Sequence, residues 1–236
     1  MEVVLMRHGE SVNNMRQSLT CIPGGYTRLP DAPLTRRGKV QAERAAGRAA
    51  AEMGLGAADP PPSSLDIYTS DMTRAIQTGF YLAKGLREQG VVPRSTLVCV
   101  VPVPFFSEVG SDTTVSVPSR ARYREEEETC GARLDPSLWQ PSTWADSQRC
   151  AGDYELCQSR FVEVVLPKLR ARGATAACKT LIVGHGQYLM RILGRWRNLK
   201  NTQVVHCRVD EGGRFGEEEE GAGGGGGGRC DCDNVR

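Results

Sequence analysis

Two strand-like runs, Val3-Val4-Leu5-Met6 near the start and Thr180-Leu181-Ile182-Val183 far down the chain, each empty into a histidine set against glycine. A short apolar run that ends in polar residues and a glycine reads as a buried strand opening into a loop. The first run leads into Arg7-His8-Gly9-Glu10 and the second into Gly184-His185-Gly186. The chain holds three histidines, so two of them stand just past a strand. In open α/β sheets ligands bind in the crevice beyond the carboxyl ends of the strands. Two such ends, each carrying an imidazole, can face one another there.

The pattern between these runs alternates. Thr35 has the character of an N-cap, and Ala42, Ala45, Ala46, Ala49 and Met53 follow at three- and four-residue steps, predicting an amphipathic helix that stops at Gly54 and Gly56. Residues 59–64 form a proline-rich loop, and Leu65 to Tyr68 reads as a strand. Ser70 is expected to cap a second helix, with Asp71 placed for its dipole and Ala75, Gly79, Leu82 and Leu86 on its inner face. A strand over Thr96 to Val103 comes next. Tyr154, Cys157, Phe161 and Val164 then mark a helix bent or ended near Pro167. After the second histidine a helix runs from about Gln187 to Leu193, and a last strand spans Gln203 to Cys207. Strands alternating with helices predict an α/β fold with three layers, a mostly parallel central sheet carrying helices on both faces.

Two stretches break the rhythm. Residues 111–150 are rich in Ser, Pro and charge and read as an irregular insertion near the site, with Glu125 to Glu128 as a solvated face and Trp139 and Trp144 as packing residues. From Glu211 onward the chain is Glu- and Gly-rich, with six consecutive glycines from Gly223, so 211–236 is expected to be a disordered tail beyond a catalytic domain of 1–210.

With 39% hydrophobic and 25% charged residues, the composition is that of an ordinary globular chain, and a net charge of +2 points to neither nucleic acid nor membrane. No apolar run is long enough to span a bilayer. The first strand starts at Glu2 or Val3, which leaves no room for a removable signal. Nine cysteines without a repeating spacing read as reduced thiols of a cytoplasmic protein. Cys230-x-Cys232 is a weak rival as a zinc site, and His206 reads as structural.

Hydrolysis of a phosphate monoester needs a cationic cradle, an in-line nucleophile and an acid for the leaving oxygen. Arg7 offers a bidentate fork to phosphate oxygens. A neutral His8 is a competent nucleophile at phosphorus and can form a phosphohistidine. Arg74, early in the helix after Ser70, is the candidate second arginine. Its charge disfavours the imidazolium and keeps His8 nucleophilic. No convincing Asp/Glu cluster is present to hold a metal, and neither metal nor cofactor is expected.

These residues carry a resemblance. Leu5-Met6-Arg7-His8-Gly9-Glu10-Ser11 with Asn14 resembles the signature of the histidine phosphatase superfamily, the phosphoglycerate mutase-like proteins. The stretch from Asp31 to Ala42, including Pro33-Leu34-Thr35, is similar to that family's second block. Tyr68-Thr69-Ser70-Asp71-Met72-Thr73-Arg74-Ala75-Ile76-Gln77-Thr78 is similar to the third, and Val183-Gly184-His185-Gly186 to the fourth. The four blocks come in the family's order across residues 2–207. The resemblance implies a phosphoglycerate mutase-like fold, His8 as the phosphorylated nucleophile, and Arg7, Arg74 and His185 as the phosphate pocket. It places Asn14 near the bound phosphate and treats Thr35, Gln41 and Thr78 as capping and scaffold residues. Glu108, in Phe105-Phe106-Ser107-Glu108-Val109-Gly110, stands where the family has its acid. Its implied role is proton donor to the leaving group and then base for water, with Asp112 and Glu125 to Glu128 as rivals.

Three functions follow as expectations. The first is a metal-independent phosphatase acting on a small phosphorylated metabolite or a phosphoprotein. The second is a cofactor-dependent phosphoglycerate mutase, but the family's triose-binding stretch is not matched by Val109-Gly110-Ser111-Asp112-Thr113-Thr114, which favours hydrolysis. The third is a weakly active phosphate-binding regulatory module. Substrate identity and oligomeric state stay open at this level.

Overall fold

The computed structural model describes residues 1–19, 28–56, 62–106, 118–139, 153–173, 180–194 and 199–217. Within these, Glu2–Arg7 (β1), Ser64–Ser70 (β2), Leu97–Val103 (β3), Arg133–Leu134 (β4), Thr180–Gly184 (β5), Val204–Val209 (β6) and Phe215–Glu217 (β7) form one sheet. Their order is β4-β3-β2-β5-β1-β6-β7. The five strands from β4 to β1 run parallel, and β6 and β7 close one edge antiparallel. The helices are Val12–Leu19 (α1), Arg36–Arg44 (α2), Ala46–Met53 (α3), Thr73–Glu88 (α4), Arg124–Cys130 (α5), Tyr154–Arg160 (α6), Leu166–Gly173 (α7) and Gly186–Ile192 (α8).

The continuous apolar character of β1 has a simple cause. Val4 and Met6 face a core shared with Ala46, Ala49 and Met53 of α3 and Ile76 and Phe80 of α4. Val3 and Leu5 face a second core, with Phe161, Leu166 and Leu169 from the α6–α7 segment and Leu189 from α8. A strand buried on both faces has no polar face to display. Helices therefore cover both sides of the sheet, and the fold is the expected three-layer α/β/α arrangement.

Several local expectations are corrected. The helix after Thr35 is two helices that meet at Ala45, although Thr35 does cap the first by accepting the Gly38 N–H at 3.0 Å. Ser70 is not the cap of α4. The helix begins at Thr73, and its cap position is Met72, which has no side chain able to accept. The acceptor arrives instead from Asp31, whose two carboxylate oxygens take the Thr73 N–H and the Thr73 hydroxyl at 2.7 Å each. Arg122 donates to that same carboxylate at 2.9 Å.

The segment from Tyr154 does not end near Pro167. It passes through a π-helical turn over Phe161–Val165, closed by the Leu166 N–H on the Phe161 carbonyl, and continues as α7. The wide turn lies just where proline removes a donor and crowds the preceding carbonyl.

Residues 111–150 are not irregular throughout, because they contribute α5 and β4. Nor are Glu125 to Glu128 a uniformly solvated row. Glu126 accepts from Gln77 at 2.8 Å, and Glu127 accepts from the Leu134 backbone and from Arg120. Trp139 is buried. Beyond Glu211, residues 215–217 pair with β6 as β7. Glu108, Asp112, Trp144, Cys230, Cys232 and the glycine tract lie outside the described residues.

Candidate active site

Three neighbouring strands, β2, β5 and β1, end side by side with Arg7 opposite Gly184 and Thr69 opposite Val183. Their carboxyl ends deliver Arg7 and His8 from β1, Ser70 from β2 and His185 from β5. The first turn of α4 adds Arg74. The rings of His8 and His185 lie 5.2 Å apart between centroids, tilted by 58°. Both are buried, as is Arg74.

The loop carrying His8 is fixed by backbone contacts that leave no room for side chains. A Cβ on Gly9 would come within 2.5 Å of the Gly38 carbonyl oxygen, and one on Gly38 within 2.1 Å of the Glu10 oxygen. This close approach seats the loop on the start of α2. The Gly9 N–H donates to Thr78 Oγ1 at 3.0 Å, and Thr78 donates to the Arg74 carbonyl, so the loop and the first turn of α4 form one unit. The His8 N–H donates to the Gly184 carbonyl at 3.0 Å, which ties the two histidine loops together.

His8 has a defined tautomer. Its Nδ1 lies 2.6 Å from the Gly9 carbonyl oxygen, and a carbonyl only accepts, so Nδ1 carries the proton. Burial lowers its pKa well below the ordinary value; the Arg74 and Arg7 charges lower it further, and the Gly9 bond opposes them. The ring is therefore neutral, with its lone pair on Nε2. Burial likewise lowers the pKa of His185, followed by the charges of Arg74, His8 and Arg7.

Arg7 donates through Nη1 to the Leu199 carbonyl. A Cβ on Gly186 would sit 3.1 Å from the Arg7 Cζ, so the glycine after His185 makes space for the guanidinium. Asn14 lies in the first turn of α1, and its Oδ1 accepts from both the backbone N–H and the hydroxyl of Ser11 at 3.1 Å.

The structure thus brings Arg7, His8, Arg74 and His185 together, with Asn14 linked to His8 through Asn201. It also brings in residues that the sequence did not place in the site. Asn201 donates to the His8 carbonyl at 2.9 Å and reaches Asn14 at 3.4 Å, spanning 193 positions to the first. It sits in a turn without a motif. Ser70 faces His185 rather than capping a helix. The outcome is a cationic cradle around one neutral, oriented imidazole, suited to hold an anion and attack it. Among the described residues, no group of three or more His, Cys, Asp or Glu is arranged to hold a metal ion.

A sequence model of the histidine phosphatase superfamily (branch 1) matches residues 3–97. No curated protein matches the sequence. Among solved structures, the chain is similar to the ecdysone phosphate phosphatase of Bombix mori in complex with tungstate, at 18% identity over 88% of each chain with a TM-score of 0.53. It is also similar, at a TM-score of 0.44 and 16% identity, to a phosphoserine phosphatase of Entamoeba histolytica in complex with 3-phosphoglyceric acid, over 91% of this chain and 93% of that one. The fold likeness rests on the first of these. Residues 3–97 therefore resemble the histidine phosphatase superfamily (branch 1), and the α/β fold is similar to that of the ecdysone phosphate phosphatase.

Proposed function

We propose that this protein is a metal-independent phosphatase that hydrolyses a phosphate monoester through a phosphohistidine on His8. The observation that carries it is the buried His8 ring beside two arginines, with its Nδ1 on the Gly9 carbonyl, which leaves Nε2 for attack. Arg7 and Arg74 neutralise the phosphoryl oxygens as charge spreads over them, the part that a metal plays elsewhere. His8 Nε2 forms the bond to phosphorus while the bond to the leaving oxygen breaks. That oxygen takes its proton from an acid, in this proposal Glu108. The deprotonated acid then draws a proton from water, which attacks the phosphohistidine and frees His8. Asn14 supports the His8 loop near the phosphate. The ecdysone phosphate phosphatase among its structural neighbours lends support to hydrolysis as the outcome.

The substrate is a phosphorylated small molecule or a phosphoprotein. Among the described residues no helix is long and apolar enough to cross a membrane. We place the reaction in the cytoplasm, in keeping with the buried Cys130 being a thiol.

The test is hydrolysis of p-nitrophenyl phosphate by the parent chain and by His8→Ala, each with and without EDTA. Activity that survives EDTA and vanishes in His8→Ala is expected. EDTA-sensitive activity, or activity retained by His8→Ala, overturns the proposal. Faster transfer to 3-phosphoglycerate than to water would make the protein a mutase instead.

A further inference from the structure

Ser70 and Asp71 are buried at the end of β2, and catalysis as proposed above does not use them. Ser70 Oγ lies 2.7 Å from Nε2 of His185 and 3.2 Å from Oδ1 of Asp71, and it also accepts the Met72 N–H at 3.3 Å. A serine has one hydroxyl proton, and a carboxylate can only accept. With that proton directed to Asp71, the serine oxygen must accept from the imidazole, so His185 bears its N–H on Nε2. The lone pair then sits on Nδ1, which is fully buried and has no hydrogen-bond partner among the described residues. A buried ring nitrogen left without a partner is costly unless a ligand meets it.

We propose that Asp71, Ser70 and His185 form a buried hydrogen-bonded chain that makes His185 Nδ1 the proton acceptor for an arriving phosphoryl group, with Ser70 as its positioning residue. The inference rests on the proposal that this is a phosphoryl site. A phosphate monoester bound as its monoanion carries one P–O–H proton, since the second ionisation lies near pH 6. As it binds, the Nδ1–H bond forms and the phosphoryl O–H bond breaks. The products are a dianionic phosphoryl group and an imidazolium that donates to it from Nδ1. Nε2–H stays on Ser70, and the Ser70 hydroxyl stays on Asp71.

Charges facing His185 set the balance. Burial and the charges of Arg74, His8 and Arg7 hold the empty site's imidazole neutral. The Asp71 carboxylate, reached through Ser70, acts in the opposite sense. The incoming phosphoryl charge adds to Asp71 and tips the balance toward the imidazolium.

The experiment is nitrogen-resolved NMR of the His185 ring in the full chain, without phosphate and with saturating inorganic phosphate, alongside Ser70→Ala, Ser70→Thr and Asp71→Asn. The free parent should show the neutral Nε2–H tautomer, and the phosphate complex a ring protonated on both nitrogens. Ser70→Ala and Asp71→Asn should weaken phosphate binding about tenfold, the size expected for losing a charge-assisted hydrogen bond. They should also move the pH at which the bound ring deprotonates downward. Ser70→Thr, which keeps the hydroxyl, should restore both. An Nδ1–H tautomer in the free parent overturns the inference, as does a ring that stays neutral in the complex. These spectra need no turnover. A parent that shows them but fails to hydrolyse any phosphate ester would sink the proposed activity alone.

Discussion

The reactivity proposed for His8 rests on two influences on one ring. The Gly9 carbonyl fixes the proton on Nδ1, while burial and the guanidinium groups of Arg74 and Arg7 keep a second proton off Nε2. Both site histidines have folded-state pKa values below the unfolded value near 6.5. Below about pH 6.5 the unfolded chain binds protons that the native site refuses. Stability from these rings is thus fully present at pH 7 and above and is lost as the pH falls. The slope reaches up to about 1.4 kcal/mol per pH unit for each histidine. Urea midpoints at pH 7.5 and 5.5 should differ in the parent and differ less in His185→Gln. Gly186 illustrates the opposite kind of residue, one that matters for the space it leaves. Gly186→Ala would press on the Arg7 guanidinium at 3.1 Å. Inorganic phosphate should then bind about tenfold more weakly, ~1.4 kcal/mol, with little change in the urea midpoint. An unchanged dissociation constant, measured calorimetrically, would refute this. The strand-end histidines and arginines were legible in the sequence because each lies within a few residues of the apolar run that positions it. Asn201 was not, because its role depends on a chain reversal that brings it to His8 across 193 positions.

Among the elements, α4 carries the most. It supplies Arg74 from its first turn and packs both against the sheet and against α2. Gly79 allows the first contact, since a Cβ there would lie 2.8 Å from the Thr69 methyl. Its N-terminus is capped by a residue 42 positions upstream, Asp31, which no local signal reveals. For the same reason the sequence pointed to Ser70 as the cap: a serine before a helical pattern is the usual sign, and only the tertiary structure shows it turned toward His185. Asp31→Ala should uncap α4 and leave Arg122 without this carboxylate. A loss of about 2–3 kcal/mol is expected from the two effects, read as a lower urea midpoint together with weaker phosphate binding as Arg74 loses its footing. Full stability in this variant would contradict the capping role. The π-helical turn before Pro167 and the α5 and β4 elements were equally hidden, since periodicity over seven residues or fewer carries little information.

For the molecule as a whole, the parallel β4-β3-β2-β5-β1 array determines where chemistry can occur. Strands distant in sequence become neighbours, so motifs near residues 8, 74 and 185 converge at the carboxyl ends of the central strands. Alternating patterns disclosed the α/β class, but strand order came from crossovers that composition does not encode. A ligand that binds only these assembled strand ends stabilises the entire fold, by about 2.7 kcal/mol at one hundred times its dissociation constant. Inorganic phosphate should therefore raise the melting temperature of the parent and not that of Arg74→Ala. The phosphohistidine proposed on His8 is one covalent bond, and rapid quenching with a radiolabelled phosphate monoester can trap it. Acid-labile, base-stable label is expected on the peptide bearing His8 during turnover. Turnover without label on that peptide, or with label on another residue, would contradict it.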